Sequence, residues 1–598
     1  MELKTFDERL KLGNGDYDRL VHARKPKGID EKKAYIIGTG IAGLSAAGFL
    51  IKDAHMKPEN ITFLEKDEIA GGALDGKLLA NVNYVARGGR ETGHHFEVLW
   101  DLLSVIPSRE DPEMSILDDL YYTNLDDPNY SNCRITKNRG ERDDNGKFNL
   151  SPDVIKEILH LLLTPDEKLQ GVSVEEVFSE EFLETDFWTF YRTMFAFENW
   201  HSVLELKLYI NRFIHHVAGL PDLSALQFTR YDQYESIVLP MMKWLSDQGV
   251  KTQYNTEVVD VDFDLTGNKK VATKIIAKDA KTGEDTSIDL TENDLVFITT
   301  GSLVEASAYG RNDVAPDLHI DEEESFRLWK NIAKKSPEFG KPEVFTSNVE
   351  KTNWESATVT VKSKEIAEYI EKITKRSPYT GKVVTGGIVT VRDSKWLMSW
   401  TINRQGQYIG QPEEEIAVWV YGLFTDVAGD YVKKPMKECV GKEIAKEWLY
   451  HIGVPEEDIE RLAEETSTVP VFMPYITAQF MPRSFGDRPY VVPKDSVNFA
   501  FLGQFVETLD NPGRDTVFTT EYSARCAMEA VYVLTGVEKR VPEVFASRYD
   551  VRYLLAGLSA LNDGQRPAVD LPLEQLAKVA KVIGGTEVEA MLREFHLL

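Results

Sequence analysis

Gly38, Gly40, Gly43 and Glu65 are the residues whose types and spacing speak most directly of chemistry. Residues 34–43 read AYIIGTGIAG, a short apolar run closing in Gly-x-Gly-x-x-Gly, and a stretch rich in small residues follows (Leu44, Ala46, Ala47, Gly48, Leu50). A second apolar run, Ile61–Leu64, ends at Glu65, 22 residues past Gly43. Strand, glycine turn, helix, strand and acid in this register predict a dinucleotide site. The glycines allow a tight turn, close approach of the backbone to a pyrophosphate and close helix–strand packing. The helix N-terminus, at Ala42, offers N–H groups to phosphate, and the carboxylate accepts from a ribose hydroxyl. Two further glycine turns follow, Gly71-Gly72 and Arg87-Gly88-Gly89-Arg90-Glu91. Arg87 and Arg90 suit phosphates or a solvated loop. Glu91, taken alone, reads as an acid near a helix start.

Other chemistries lack their residues. The sequence holds no Walker A, HExxH, GxSxG or zinc-type cysteine pattern. The pairs His94-His95 and His215-His216 lack metal-ligand spacing and read as structural or cofactor-side groups, so no metal is expected. Cys133, Cys439 and Cys526 are far apart, as in a reduced cytoplasmic protein. The formal net charge of −28 disfavours nucleic acid as a partner. Tyr35–Ile51, the longest weakly polar run, is too short to span a membrane. The N-terminus carries charges throughout and no apolar signal core.

The elements around these residues alternate in kind. Phe96, Leu99, Trp100, Leu102 and Leu103 form one stripe of an amphipathic helix, and Asp144-Asn145-Gly146-Lys147 reads as a hairpin tip. Residues 151–245 are mainly helical and aromatic. Val258, Val259, Val261 and Phe263, then Asp294–Gly301, read as strands returning to the nucleotide-binding sheet. Further strands are expected at 356–361, 414–424 and 497–505, the last running through Gly503 to Phe518, Thr519 and a helix. The fold class is α/β: a Rossmann-like dinucleotide-binding domain interrupted by a mixed α+β substrate domain, with a helical C-terminal region. The expected boundaries are an arm at 1–30, a discontinuous nucleotide domain at 31–115, 245–305 and 485–545, a substrate domain at 116–244 and 306–484, and the C-terminal region at 546–598. A single glycine motif near the start, with a late strand and helix, favours FAD over NAD by fold-level analogy.

At RGGRE (87–91) the resemblance sharpens. With FAFENWHSVLELKLYINRFIHH (195–216), SWTINRQ (399–405) and FLGQFVET…TVFTTEYSARCAMEAVY (501–532), the chain closely resembles the oleate hydratase family, also called the myosin-cross-reactive antigen family, over roughly residues 20–560. The resemblance implies a lyase that adds water across the cis-9 double bond of oleic acid to give a 10-hydroxy acid, with FAD, as such or reduced to FADH2, undergoing no net redox change. It implies that Glu91 activates or positions water and that Tyr209 delivers a proton to the alkene. It further implies that Gln233, Thr401 and Asn403 lie near the substrate carboxylate, and that Gly38, Gly40, Ala42, Gly43, Glu65, Gly71, Gly72, the 87–91 loop, Gly503, Phe518 and Thr519 surround the cofactor. A homodimer is implied as well. The family motif continues from SWTINRQ into Pro-His-Phe; here Gly406-Gln407-Tyr408 stands instead, so a neutral amide replaces a possible cation at Gln407. Thr92 stands where the family has Met.

Taken without the resemblance, Tyr209 is a core aromatic, and Thr401, Asn403 and Gln407 are one polar face of a strand. A flavin-dependent double-bond isomerase, a flavin oxidoreductase acting on a lipid and a flavin-bound lipid carrier share the same sequence features. The C-terminal stripes (Leu573, Leu576, Ala577, Ala580 and Ile583; Val588, Met591, Leu592 and Phe595) suit docking on the protein's own core or on a dimer partner, or peripheral contact with membrane lipid.

Overall fold

The computed structural model describes residues 19–597 apart from 75–76, 80–82, 90, 509–516, 518 and 566–580. A five-stranded parallel sheet runs in the order Phe499–Leu502, Asp294–Thr299, Lys33–Ile37, Ile61–Leu64 and Lys251–Gln253. Leu295–Ile298, on an inner strand, is wholly buried, as a sheet covered on both faces requires, and so is Phe499–Leu502 at the sheet edge. The C-terminal ends of these strands bring Gly38, Glu65, Thr299 and Gly503 to one edge, the side where open parallel sheets bind ligands.

Helix Ile41–Lys52 lies close on this sheet and on a neighbouring helix because two of its residues lack a side chain. A Cβ on Gly43 would stand 2.2 Å from the Gly38 carbonyl oxygen, and one on Gly48 would stand 2.6 Å from Leu102 of helix Glu97–Leu103. Helix Thr520–Thr535 packs alongside, and its Tyr532 hydroxyl donates to Asp53 at 2.7 Å.

Two expectations are corrected. Val258, Val259, Val261 and Phe263 do not return to the parallel sheet; they belong to a separate antiparallel sheet of Thr256–Asp264, Val271–Asp279 and Asp285–Asp289. The strands that return are Lys251–Gln253 and Asp294–Thr299. Asp260, Asp262 and Asp264 alternate along the first antiparallel strand, which suits a sheet with one wet face and not one buried on both. Likewise, Asp144–Lys147 is not a hairpin tip. The hairpin of Ile135–Lys137 and Glu141–Arg142 turns at Asn138, Arg139 and Gly140, all at positive φ. The Asp144 carboxylate is instead a buried anchor, accepting from the Arg134 and Ile135 amides at 2.8 and 3.1 Å and from the Arg142 guanidinium at 2.8 Å.

A mixed eight-stranded sheet forms the second layer, ordered Ala308–Tyr309, Thr466–Met473, Trp354–Val361, Ile416–Gly422, Met398–Thr401, Val389–Val391, Ile135–Lys137 and Glu141–Arg142. Along Trp354–Val361 the side chains alternate. Ala357, Val359 and Val361 join a core with helices Lys364–Thr374, Gly441–His451 and Glu456–Ala463. On the opposite face the Thr358 hydroxyl accepts from the Ala86 amide.

Glu355 shares the face of Ala357 and Val359, is fully buried, and both its carboxylate oxygens lack a hydrogen-bond partner. Burial pushes its carboxyl well above the usual range. The folded chain therefore binds a proton there more tightly than the unfolded one. That contribution is fully present below the unfolded carboxylate range near pH 4.5 and is lost as pH rises toward and through the folded value. Glu355→Met removes the group at similar volume and is expected to raise stability at pH 9 by about 1–3 kcal/mol, with a smaller effect at pH 6. Urea midpoints at the two pH values check this; a loss of stability at pH 9 would count against it.

The third layer is helical. Helix Val203–Arg212 begins at Ser202, whose hydroxyl accepts from the Glu205 amide, and carries Tyr209 into an aromatic cluster. Its pose is fixed by charge: Arg483 donates to Glu205 and Glu507, each at 2.6 Å, and Arg488 lies 3.1 Å from Glu205. All four side chains are buried, so each guanidinium and carboxylate depends on the others.

In the C-terminal region Val551–Leu561 and Glu587–Glu594 are helices. Leu573, Leu576, Ala577 and Ala580 lie outside the described residues. Val588 is exposed, and Met591, Leu592 and Phe595 are half-buried. Among the described residues no helix is long and apolar enough to cross a membrane.

Candidate active site

A cavity of 630 Å³ runs from the edge of the parallel sheet into the aromatic helical layer. At the sheet end Gly38, Gly40, Ala42, Glu65, Gly72 and Gly503 line it. Gly43 acts from behind through the packing already described. Gly71 joins Gly40 by a parallel bridge, and its amide donates to the Thr39 carbonyl at 3.2 Å. The two glycine turns touch closely: a Cβ on Gly72 would stand 3.1 Å from the Gly40 Cα. Helix Ile41–Lys52 has no side-chain cap, so its first amides face the cradle.

Glu65 is held in place by its own loop. One carboxylate oxygen accepts from the Thr39 amide at 2.8 Å and from the Thr39 hydroxyl; the other accepts from the Asp67 amide at 2.9 Å. Burial pushes its carboxyl up and these donors pull it back, leaving a net rise. The second oxygen keeps a lone pair for a ribose hydroxyl. Cradle, open helix start and acid together fit FAD. Arg87 lines the cavity and donates to the Gly72 carbonyl; Gly88, Gly89 and Thr519 line it too. Arg90 and Phe518 lie outside the described residues.

Glu91 and Tyr209 both line this cavity. Glu91 stands before the short strand Thr92–Gly93, six residues from helix Glu97–Leu103, so it is not a helix-start acid as its sequence position suggests. Its carboxylate folds back over the Gly89 backbone, where a side chain would meet it at 3.0 Å. The Thr92 hydroxyl donates to the Gln227 carbonyl at 3.2 Å. Tyr209 is buried among the rings of Phe195, Phe197 and Phe480, at 4.9, 5.2 and 5.4 Å between centroids.

Gln233, Thr401, Asn403 and Gln407 are also brought together. They line a small polar pocket of 70 Å³ with Asp232 and Arg404. Gln233 lines both spaces, as do Leu74, Arg87, Gly88, Gly89 and Trp419, so the two adjoin. It is buried, and neither its amide oxygen nor its nitrogen has a hydrogen-bond partner. The Thr401 hydroxyl shares a hydrogen bond with Thr385 at 3.1 Å.

Sequence reasoning passed over Asp232, Tyr191 and the special place of His216. The Tyr191 hydroxyl is buried without a partner in the cavity wall, and burial pushes it up. His216 lines the cavity with an unpartnered Nε2, and burial holds it neutral, down to about 3. His215 meets the Ser547 hydroxyl at 3.2 Å, and His95 pairs with Glu97 at 2.7 Å. A signal for Asp232 did exist. It precedes Gln233 directly in the sequence; the structure adds a π-helical turn, Tyr234–Val238, just after it, a rare form enriched at functional sites.

Residues 31–532 match the MCRA family. The chain is 46% identical over 592 residues to an oleate hydratase of Streptococcus pyogenes serotype M49 (strain NZ131), covering 98% of this chain and 99% of that protein. It is 30% identical over 541 residues to a linoleate hydratase of Lactiplantibacillus plantarum, covering 85% and 94%. Among solved structures it resembles cyclohexylamine oxidase of Brevibacterium oxydans IH-35A at 11% identity and a TM-score of 0.47, covering 84% of this chain and 99% of that one.

Proposed function

The chain belongs to the MCRA family, and from that premise and the cavity we propose that it is an FAD-dependent fatty acid hydratase. It adds water across the cis-9 double bond of oleic acid and related unsaturated acids to give 10-hydroxy acids. The observation that carries this reading is that Glu91 and Tyr209 line one cavity with the dinucleotide cradle, and that the polar pocket adjoins this cavity at Gln233. The polar pocket takes the carboxylate, and the aromatic layer takes the chain.

The bond changes balance without an oxidant. The Tyr209 hydroxyl gives its proton to one alkene carbon, and cationic character grows on the other. Water forms the new C–O bond there and passes a proton to the Glu91 carboxylate. Proton return from Glu91 to Tyr209 through solvent restores both groups. The aromatic walls exclude bulk water, and the carboxylate favours the developing positive charge. Held by the Gly38, Gly40 and Gly72 cradle and Glu65, the flavin would supply a polar surface and would undergo no net redox change. A second copy of the chain and a lipid surface are the macromolecular partners in this reading.

The test is incubation of the flavin-loaded protein with oleate in isotopically labelled water, without a nicotinamide cofactor, read by mass spectrometry. A product heavier by one labelled water, hydroxylated at carbon 10, supports the proposal. An isomer with no added water, or a dehydrogenated product, replaces it with double-bond isomerisation or oxidation.

A further inference from the structure

The polar pocket holds an acid where an anion is to bind. The Asp232 amide donates to the Gln407 carbonyl at 2.9 Å, which ties the residue to the 403–408 loop. One carboxylate oxygen accepts from the Glu235 amide at 2.8 Å; the other is buried with no partner. Gly406 in the facing loop has φ +77°, a conformation closed to proline, so the path of the backbone at Gln407 is particular to this chain's sequence.

The charges around Asp232 are already engaged, apart from one guanidinium nitrogen of Arg404. On its own segment Glu235 pairs with Arg109, and Arg230 lies 2.7 Å from Asp119. From the facing loop Arg404 is held by Asp127 at 2.7 Å, with one buried Nη1 left unpartnered. Tyr408, from the same loop, is buried and pushed up, with the Asp232 charge contributing to the rise. Tyr84 stacks on Tyr408 at 4.6 Å, and Tyr231 and Tyr234 flank Asp232 in sequence. Arg87, from the glycine loop, donates to the Gly72 carbonyl.

We propose that the Asp232 carboxyl donates the hydrogen bond that holds the substrate carboxylate in this pocket. The head group is then recognised by a carboxyl–carboxylate pair sharing one proton, beside the Gln233 and Gln407 amides. This rests on the fatty acid reading of the pocket. Burial and the neighbouring Glu235 push the Asp232 carboxyl up to about 7, where the protonated form is available in neutral solution. Above that value, binding takes up one proton for each carboxylate held.

The test measures the Kd of decanoate, kept below micelle formation, for the flavin-loaded full chain by isothermal titration. Decanoate is saturated, so it cannot be hydrated, and it is ionised at every pH used. For the parent chain Kd is expected to rise about a hundredfold from pH 6 to pH 9. One proton is taken up per decanoate at pH 8, read from buffers of different ionisation enthalpy. Asp232→Asn keeps a neutral donor, so its Kd is expected to stay flat with pH, and 1-decanol is expected to bind the parent with no pH dependence. A flat decanoate Kd in the parent, an unchanged slope in Asp232→Asn, or no binding at any pH overturns the proposal. Oleate turnover separates the two readings. Hydration with a flat decanoate Kd removes the proposal alone; pH-dependent binding without hydration removes the hydratase reading and leaves the Asp232 contact standing.

Discussion

Glu91→Gln is expected to lower kcat for oleate hydration by roughly 10²–10⁴-fold, the range for losing one positioned acid or base. Glutamine keeps the size of the side chain and can still hydrogen-bond water, but it cannot accept the proton that water must lose. Flavin content should be kept and the decanoate Kd should stay within about threefold of the parent, because the cradle around Gly38, Gly40 and Gly72 and the polar pocket are formed by other residues. Tyr209→Phe is expected to match it in kcat. The double variant should be little worse than either single one, since the two groups serve one proton cycle and their losses do not add. Single-turnover rates with saturating oleate make the measurement. Retention of kcat within threefold in Glu91→Gln would remove this carboxylate from the chemistry.

The second large effect is steric. Gly43→Ala places a methyl 2.2 Å from the Gly38 carbonyl oxygen, a backbone atom with no rotamer to yield. Helix Ile41–Lys52 must lift from the sheet, at a cost of about 3 kcal/mol, the upper end of overpacking. The glycine turn moves with it. Little yellow protein should be recovered, with a lowered apo melting temperature. Gly40→Ala provides the contrast. Its Cβ would meet the Gly72 Cα at 3.9 Å, ordinary contact, and its φ is −67°, so the apoprotein should melt as the parent does. The methyl fills the space a pyrophosphate needs, and flavin affinity should fall tenfold or more, about 1.4 kcal/mol. Full flavin content in Gly40→Ala would show that the cradle holds something else.

These glycines show why part of the fold was legible in the sequence. A glycine turn between an apolar strand and a small-residue helix is a local pattern, and local patterns specify local geometry. The strand expected at 356–361 and the helix expected after Thr519 stand, as Trp354–Val361 and Thr520–Thr535, for the same reason. The misreadings come from non-local facts. Asp144-Asn145-Gly146-Lys147 has hairpin-turn chemistry, but the Arg134 and Ile135 amides reach the Asp144 carboxylate and the chain turns earlier. The Val258–Phe263 run carries strand propensity, and propensity does not say which sheet a strand joins. Glu355 lies just before the strand expected at 356–361; that its face is covered by helices is a fact of tertiary packing. At the candidate site, the grouping of Gln233 with Thr401 and Asn403 depends on a loop more than 150 residues downstream, and no periodicity reports it.

The buried cluster of Glu205, Arg483, Glu507 and Arg488 bears on how the protein is made. Translation delivers Glu205 almost 280 residues before the first guanidinium that can neutralise it. A nascent chain that has emerged only through residue 480 has every aromatic around Tyr209 and no means of seating the helix that carries it, because an uncompensated carboxylate resists burial. Residues 499–502, an edge of the parallel sheet, arrive later still. The reaction chamber is therefore a late product of synthesis. Chains stalled or clipped before residue 507 would expose a large aromatic surface, making them substrates for chaperones and proteases rather than sources of partial activity.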